Sequence, residues 1–526
     1  MRLLLILVFG CRLGVTAAAG IEADAQLGER LFRTGVGVDG TVIAGVVQND
    51  VPAIASAAAC ANCHRRSGLG TSEGRNRAPA ITAPRTSAYD ENSLRRVLVE
   101  GVTPDGRMLD PLMPHYRLGD RDVAALLAYL KTLGANADPG VTPTHVRLVT
   151  IVADSAPEGE RESVVRVITR FAEIKNSGTR READRAAASR RQAYGERHIR
   201  GYRVWDVGVW RLHGEPASWP QQLDRYYADD PPFAVISGAA GTDWAVVHRF
   251  CERMQLPCVL PVAPLPGNDG TNVYNLYYSD GARLAARITA REVETILDRS
   301  QARVLLLHTD DALGRAARDT FLDETSGHRS TGLVMRAVEP DQTPTAGDWR
   351  ALIERSHPDV VIAWLGNRQL SSLLTGVDGI EHGPQRILTA EEFTDWNRIE
   401  LLPSRLERVR HIYPHRVARA GETRFPREDV WLKSQKLDEL PRIPAAQALF
   451  ACHAVGEALA DMAGNYSRDY LIETLEHMLD GTGMTTLYPT TTLGAGQRFL
   501  VKGAYVVHPK FDAAGLRYTD VRWVAN

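Results

Sequence analysis

The residues whose types and spacing can do chemistry are Cys60, Cys63 and His64, which form a Cys-x-x-Cys-His pattern. Two thiols at this spacing can make thioether bonds to both vinyl groups of a haem, and the adjacent imidazole can then bind the iron. The alternatives are a redox-active cysteine pair, or half of a zinc site that lacks its second Cys/His pair. The pattern predicts one covalent haem c, attached at Cys60 and Cys63, with His64 as an axial iron ligand.

A second axial ligand is expected from residues 106–116, a segment with two methionines and a histidine. We predict Met113, because Pro114 stiffens the chain beside it and a thioether ligand raises the reduction potential relative to a second histidine. Met108 and His115 are the alternatives, and each methionine can instead be a packing residue. An iron bound by His64 and Met113 has no vacant position, which favours electron transfer over peroxidase chemistry.

Three amphipathic segments are predicted to be the helices that position these ligands. Apolar residues recur at helical spacing in residues 25–32, 93–100 and 120–133. Residues 67–74, which follow the haem motif, are rich in glycine, as expected where the backbone passes close to a flat and bulky group.

Four short motifs in this region resemble a class I cytochrome c domain, in the order of that family. They are Gly-Glu-Arg-Leu-Phe at residues 28–32, the haem motif, Met113-Pro114, and Leu-Leu-Ala-Tyr-Leu at residues 126–130. The resemblance implies an all-α domain over residues 20–135, in which the first and last helices cross and bring Phe32 close to Tyr129. The segment at residues 35–59 is longer than a minimal member of that family has.

The N-terminus predicts export. An apolar run at residues 3–9 follows Met1-Arg2, and small residues precede Gly20, as in a secretory signal peptide over residues 1–19. Covalent haem attachment in bacteria is periplasmic, so we expect a periplasmic protein. A lipoprotein anchored at Cys11 is the alternative.

Length and charge narrow the possible classes of protein. The chain has 526 residues, 24% of them charged, and a formal net charge of -2. Its length suggests several domains, and the balanced charge gives no indication of nucleic-acid binding. No later segment is long and apolar enough to predict a transmembrane helix.

Residues 136–144 read as a linker, and short apolar strands alternate with amphipathic helices after it. This alternation predicts parallel α/β layers in two lobes. A loop of small residues at 237–242 follows a predicted strand that ends at Ile236. Its exposed amides, followed by a helix N-terminus, favour an anion such as a carboxylate; a plain tight turn is the alternative. The loop matches neither nucleotide-binding glycine pattern.

The downstream region resembles a type I periplasmic solute-binding protein of the branched-chain amino acid or amide receptor kind. The resemblance rests on residues 232–238, 256–261, 302–314 and 358–362. It implies a two-lobed α/β domain over residues 145–526 that closes on a small molecule, such as an amino acid, an amide or a carboxylate. The ligand contacts that it implies are Asp154, Ser155, Ser237, Ala239, Thr242, Ala263, Asp310 and Glu391.

The remaining cysteines allow one disulfide. Cys251 and Cys258 lie seven positions apart, and in an oxidising compartment they can form a local bridge. Two reduced and buried thiols are the alternative. Cys452, on a helix-like run, is predicted to be a core residue.

Taken together, the sequence predicts an exported cytochrome that transfers single electrons to or from a periplasmic dehydrogenase or oxidase and carries a fused small-molecule-binding module. The alternative is a solute receptor of an ABC transporter or a sensor system, with an accessory haem. No serine-hydrolase, zinc-protease or paired-carboxylate signature indicates catalysis beyond electron transfer.

Overall fold

The structure is a computed structural model, and its chain divides into two units. Unit 1 comprises residues 1–138 together with residues 465–473, and unit 2 comprises residues 139–464 and 474–526. The first division falls inside the predicted linker at residues 136–144. The predicted signal peptide lies largely outside the described residues, and so does Cys11. The structure describes residues 13–48, 50–73, 76–188, 203–267, 270, 272–297, 303–326, 332–399, 403–418, 426–462, 464–480, 487–489, 491–494, 497–513 and 515–526.

In the described residues up to 138, unit 1 contains five helices. They are α1 (Leu13–Thr34), α2 (Ala61–His64), α3 (Ala83–Thr86), α4 (Glu91–Glu100) and α5 (Asp120–Thr132). The side chain of Asp90 caps α4 by accepting a hydrogen bond from the amide of Ser93, and Gly101 ends that helix in the left-handed conformation.

Helices α1 and α5 cross at very close range. A Cβ atom on Gly28 of α1 would lie 2.0 Å from the carbonyl oxygen of Ala125 in α5, so only glycine fits at this crossing. One turn further on, the rings of Phe32 and Tyr129 pack with centroids 5.3 Å apart. The predicted contact between these two rings is therefore present.

Unit 1 is not purely helical, which corrects the all-α expectation for this domain. Strands β1 (Ala44–Val47), β2 (Val51–Ile54) and β5 (His115–Arg117) form an antiparallel sheet in the order β2-β1-β5, and β3 (Thr71–Glu73) pairs with β4 (Asn76–Ala78). The extra strands β1 and β2 come from the long segment at residues 35–59. Its β-branched residues favour strand, and β5 gives them a partner beside the predicted methionine loop.

The first lobe of unit 2 contains a parallel five-stranded sheet in the order β10-β9-β8-β6-β7. Its strands are β6 (His145–Ala153), β7 (Val204–Leu212), β8 (Ala234–Ala239), β9 (Cys258–Val259) and β10 (Asn275–Leu276). Its helices are α6 (Glu158–Ala188), α7 (Trp219–Asp229) and α8 (Trp244–Arg253). A disulfide joins Cys251 at the end of α8 to Cys258 at the start of β9.

The second lobe contains a seven-stranded sheet in the order β12-β11-β13-β14-β15-β16-β17. The first five are parallel: β11 (Val304–Thr309), β12 (Leu333–Val338), β13 (Val360–Trp364), β14 (Arg386–Ala390) and β15 (Val409–Tyr413). The antiparallel hairpin β16 (Gly503–Asp512) and β17 (Gly515–Ala525) completes it. Its helices are α9 (Ala282–Leu297), α10 (Ala312–Thr325), α11 (Ala346–Ser356) and α12 (Asn367–Val377).

Among the described residues after β15, three further helices are present: α13 (Pro426–Ser434), α14 (Arg442–Asp461) and α15 (Arg468–Met478). Helix α14 packs against α6 and β8 of the first lobe. The chain of unit 2 therefore passes between the lobes three times: after β10, after β15 and before β16. Among the described helices, α14 alone is long and apolar enough to cross a membrane, but 67% of its apolar window is buried in the protein, as in a core helix.

Candidate functional site

The Cys-x-x-Cys-His motif folds into a single tight turn. The amide of His64 donates to the carbonyl oxygen of Cys60 at 2.9 Å, so the short helix α2 presents both thiols and the imidazole within one turn. Cys60 and Cys63 are not joined to each other; the first is buried and the second is exposed. Burial raises the pKa of the Cys60 thiol to about 11. Two unlinked thiols next to a histidine are the donor set that covalent haem attachment requires.

His64 is oriented as an iron ligand needs to be. Its ring is buried, and Nδ1 lies 2.9 Å from the carbonyl oxygen of Pro79. Since a carbonyl can only accept, Nδ1 carries the proton and Nε2 keeps its lone pair for a metal. Burial also lowers the pKa of His64, which favours the neutral imidazole that binds metals. These residues fit the haem that the motif predicts.

The loop after His64 holds Pro79 in place. The amide of Gly70 donates to the carbonyl oxygen of His64 at 3.0 Å, and the amide of Ile81 donates to that of Gly68 at 2.8 Å. Gly70 has a φ of 79°, and a Cβ atom there would lie 2.1 Å from the carbonyl oxygen of Ala78. The glycine therefore lets strand β4 return close enough to bring Pro79 to the histidine.

A carboxylate from far along the chain fixes the same loop. Glu473 of α15 is 4% exposed and accepts hydrogen bonds from the amide of Ser67 at 3.0 Å and from its hydroxyl at 2.6 Å. Burial raises the pKa of Glu473, and the Ser67 hydrogen bonds oppose that shift. In the same helix Asp469 pairs with Arg33 of α1 and lies near Arg66. The sequence analysis did not find these contacts, because more than 400 positions separate the partners.

The three candidates for the second axial ligand differ in burial. Met113 is partly buried against the core cluster that contains Cys60, whereas Met108 is 65% exposed. His115 lies in β5, where its Nε2 is so close to Gly101 that a Cβ atom there would come within 2.7 Å. Pro114 packs over Gly45 of β1, which fixes the backbone next to Met113. Burial and the rigid neighbour both favour Met113.

In the first lobe of unit 2, four predicted ligand contacts lie at the carboxyl ends of β6 and β8. Asp154 accepts from Arg161 at 3.2 Å and from His213 at 2.8 Å, and the Ser155 hydroxyl lies 3.4 Å from the carbonyl oxygen of Ala240. The sequence predicts that β8 ends at Ile236, but a bulge allows this strand to continue to Ala239.

That bulge is centred on Ser237, whose φ is 52°, and the pairing with β6 shifts register at this point. Ser237 and Ala239 are therefore fully buried strand residues rather than loop residues. The Ser237 hydroxyl has no hydrogen-bond partner among the described residues.

Thr242 and Ala263 are the other two predicted ligand contacts of the first lobe. Thr242 lines a small cavity of about 140 Å³ with His248, Arg249 and Arg283 among its walls. Ala263 is partly buried against the core of this lobe.

The two second-lobe candidates lie on strands that are not neighbours. Asp310 follows β11 and pairs with Arg315 at 2.8 Å, whereas Glu391 follows β14 and lies 2.9 Å from Nε2 of the buried His411. Strand β13 separates β11 from β14. Glu391, held by a buried histidine, is thus the more firmly positioned of the two.

A carboxyl that the sequence analysis missed lies next to Glu391. The Oε2 atom of Glu392 is buried and has no hydrogen-bond partner among the described residues, and burial raises the pKa of Glu392 to about 7. Beside it, Phe393 stacks on Trp364 at the end of β13, and the buried Nε1 of Trp364 also has no acceptor among the described residues. Adjacent strands thus present an unmatched acceptor and an unmatched donor at the carboxyl edge of the sheet.

Aromatic side chains gather where the chain passes between the lobes. Tyr278 follows β10, His415 follows β15 and Tyr488 precedes β16; Tyr488 stacks on Tyr278 with centroids 5.3 Å apart and lies 5.0 Å from His415. Burial raises the pKa of the Tyr488 phenol, and the nearby Glu392 carboxyl raises it further. A hydrogen bond with Gln447 opposes this rise without cancelling it. Glu392 is therefore close to this aromatic cluster. No local pattern in the sequence could reveal a cluster built from three distant segments.

Comparisons with known proteins found a match for each of the two parts of the chain. Residues 50–134 match the sequence profile of the family described as cytochrome c. A fatty acid ABC transporter substrate-binding protein from Thermomonospora curvata is similar in structure, with a TM-score of 0.50 and 14% identity over 74% of this chain and 95% of that one. An extracellular ligand-binding receptor from Rhodopseudomonas palustris HaA2 is similar with a TM-score of 0.51 and 10% identity, over 72% of this chain and all of that one. No curated protein sequence matches the chain.

The class of protein follows from these findings. The chain combines a cytochrome c domain with a two-lobed α/β module that has the fold of type I periplasmic binding proteins. At such low identities, the structural similarity shows the fold of the second part and not its ligand.

Proposed function

We propose that the protein is an exported cytochrome that transfers single electrons through one haem c, covalently held by Cys60 and Cys63, and that its second module binds a small molecule. The observation that carries the first part is the Cys60–His64 turn inside a cytochrome c match, with Nδ1 of His64 committed to Pro79. When bound, the haem supplies a one-electron iron couple. The protein orients the His64 imidazole through the Pro79 carbonyl and buries it, and this burial lowers the pKa of His64, which favours the neutral imidazole.

Met113 is proposed as the second iron ligand. In the Met113→Ala protein we expect the near-infrared methionine–iron absorption band of the oxidised state to disappear. The matched control is Met108→Ala, which removes the exposed methionine of the same loop and should leave the band intact. If the band survives in Met113→Ala and is lost in Met108→Ala, the assignment is wrong.

The small-molecule ligand is proposed to be an amino acid or an amide rather than a simple carboxylate. Glu391 and Glu392 give the second-lobe edge a negative character, and the unmatched oxygen of Glu392 needs a donor, which an ammonium or an amide N–H supplies. The unmatched indole of Trp364 needs an acceptor, which a ligand carbonyl supplies. A ligand whose only polar group is a carboxylate would be repelled by Glu391 and Glu392 and would offer no donor to the unmatched oxygen.

A thermal-shift experiment tests the ligand class. L-leucine, 4-methylpentanamide and 4-methylpentanoate share an alkyl chain and differ in the head group. Stabilisation by either of the first two, lost in Glu392→Gln, is the expected result; at a hundredfold excess over Kd the stabilisation amounts to about 2.7 kcal/mol. Stabilisation by 4-methylpentanoate that survives in Glu392→Gln would contradict the proposed head group.

The second candidate function is a solute receptor of a transporter or a sensor, with the haem as an accessory. The two-lobed fold and its three interlobe passages favour it. Ligand-dependent stabilisation of a protein whose haem exchanges no electrons with periplasmic dehydrogenase or oxidase preparations would support this candidate. Electron exchange without any ligand response would support the first.

Periplasmic location is part of the proposal. The predicted leader over residues 1–19, the Cys251–Cys258 disulfide and the haem motif all suit an oxidising, exported setting. The intact mass of protein from a periplasmic extract should correspond to a chain that begins at Gly20 and carries one haem. A lipid-modified chain that begins at Cys11 would instead indicate an anchored lipoprotein.

A further inference from the structure

The hairpin of β1 and β2 contacts the loop that carries Met113 on both sides of this methionine. Before Met113, the amide of Gln48 in the hairpin turn donates to the carbonyl oxygen of Pro111 at 2.9 Å. After Met113, β5 pairs antiparallel with β1, and a Cβ atom on Gly45 would lie 3.1 Å from the Cβ atom of Pro114. The position of the methionine loop therefore depends on the hairpin.

The pairing of β1 with β5 fixes which side chain of β5 faces the core. Gly45 of β1 lies opposite both Tyr116 of β5 and Ala53 of β2, so the three share one face of the sheet. Tyr116 is 3% exposed, its hydroxyl donates to the carbonyl oxygen of Ala58 at 3.0 Å, and it belongs to the core cluster that contains Cys60. The small residues leave room for its ring, since a Cβ atom on Gly45 would lie only 3.2 Å from its Cδ1.

His115 lies on the opposite face of β5, because successive side chains of a strand point to opposite faces. Its ring is at the end of α4, where its Nε2 would lie 2.7 Å from a Cβ atom on Gly101. A slip of β5 by one residue would exchange the two faces and turn His115 toward the core. The fit of the Tyr116 ring against Gly45 opposes this slip.

The difference between Met113 and His115 matters because both side chains are of types that bind haem iron. They lie only two positions apart, and an imidazole in place of the thioether lowers the reduction potential. Met113 packs against the core cluster that contains Cys60, whereas the strand pairing directs His115 to the other face. The same pairing thus presents one of these side chains to the core and withholds the other.

We propose that the hairpin of β1 and β2 selects Met113 over His115 as the second iron ligand, with Gly45 and Tyr116 as the positioning residues. The inference deepens the proposed function and rests on it, because it requires the covalent haem and the assignment of Met113. It gives the long segment at residues 35–59 a role in setting the reduction potential.

The first test uses the full-length, haem-loaded Met113→Ala protein, in which the hairpin is intact. At pH 7 its oxidised form should lose the near-infrared methionine–iron band and show a high-spin spectrum, because β5 keeps His115 away from the iron. A low-spin spectrum that is lost when His115→Ala is added would show that the hairpin does not exclude the histidine, and would overturn the proposal.

The second test disturbs the hairpin and leaves Met113 in place. Gly45→Val adds methyl groups where a Cβ atom alone already lies close to Pro114 and Tyr116, while valine still favours a strand. We expect a low-spin spectrum without the methionine band and an equilibrium constant for reduction at least tenfold lower, about 59 mV for a one-electron couple. Adding His115→Ala should abolish that low-spin spectrum. An unchanged band and potential in Gly45→Val would overturn the proposal.

The control is Gly28→Ala, which strains the crossing of α1 and α5 instead of the hairpin. It should keep both the band and the potential, which separates ligand selection from a general loss of stability; loss of the band here as in Gly45→Val refutes selection by the hairpin. If Gly45→Val does not fold, the Met113→Ala comparison still decides. Failure of the proposed function is distinguishable, because a band that survives in Met113→Ala refutes the Met113 assignment itself.

Discussion

Replacing Glu392 by glutamine should stabilise unit 2 at alkaline pH and leave it unchanged at acid pH. Burial raises the pKa of this carboxyl from an ordinary 4.5 to about 7 in the folded protein. Below pH 4.5 the side chain is neutral in both the folded and the unfolded chain, and it has no electrostatic effect on stability. Between pH 4.5 and 7 the unfolded chain has lost this proton while the folded chain still holds it, so the folded state becomes progressively less stable across this window, and the loss levels off above pH 7.

The magnitude follows from the difference between the two pKa values. Each pKa unit corresponds to about 1.4 kcal/mol, so the rise from 4.5 to about 7 gives a penalty that approaches about 3.5 kcal/mol above pH 8. Glutamine has nearly the same shape and no charge, and the Glu392→Gln protein should therefore be more stable than the wild type by up to that amount at pH 8. A group that weakens the fold while it holds an unmatched acceptor is typical of a binding site.

The chain offers a clean assay. All nine tryptophans lie in unit 2, so urea unfolding followed by tryptophan fluorescence reports that unit, while haem absorption reports unit 1. The control is Glu381→Gln, which removes an acidic side chain at an exposed position in the same lobe and should leave the stability of unit 2 unchanged. If Glu392→Gln is no more stable at pH 8, or if its gain is the same at pH 4, the burial of an unmatched carboxyl is not what the structure indicates.

Three further predictions concern the scaffold. Gly28→Ala forces a Cβ atom to within 2.0 Å of the Ala125 carbonyl oxygen and should destabilise unit 1 by about 3 kcal/mol in melts followed by haem absorption. The control is Gly119→Ala, where the nearest atom lies 3.5 Å away and little effect is expected. Equal melting of the two variants would contradict the close crossing. Ser67→Ala removes a hydroxyl donor from the buried Glu473 and should cost unit 1 about 2 kcal/mol, and no loss would mean that water replaces the hydroxyl. Cys258→Ala opens a loop closed across seven positions and should lower the stability of unit 2 by about 2.5 kcal/mol. Dithiothreitol should reproduce that loss in the wild type and leave the variant unaffected; a variant that still responds would argue against the bridge.

The sequence by itself determined the features whose signal is contained in a few neighbouring residues. The haem attachment residues are recognisable because thioether chemistry needs two cysteines and a histidine within one turn. Most strands and helices of the two lobes are recognisable because buried parallel strands and amphipathic helices have different apolar periods. The helix Ala282–Leu297 and the strand Val360–Trp364 are examples of these two periods. The contact between Phe32 and Tyr129, inferred from a family resemblance, is also present.

Only the tertiary structure decided what depends on contacts between distant segments. The strands β1 and β2 of unit 1 form because β5 supplies their partner, and the bulge at Ser237 turns a predicted loop into buried strand. Glu392 looks like any acidic residue after a strand until burial leaves its oxygen unmatched. The return of α15 to Ser67 joins residues more than 400 positions apart, and no local period encodes such a contact. These interactions arise from burial and packing, which are properties of the folded chain.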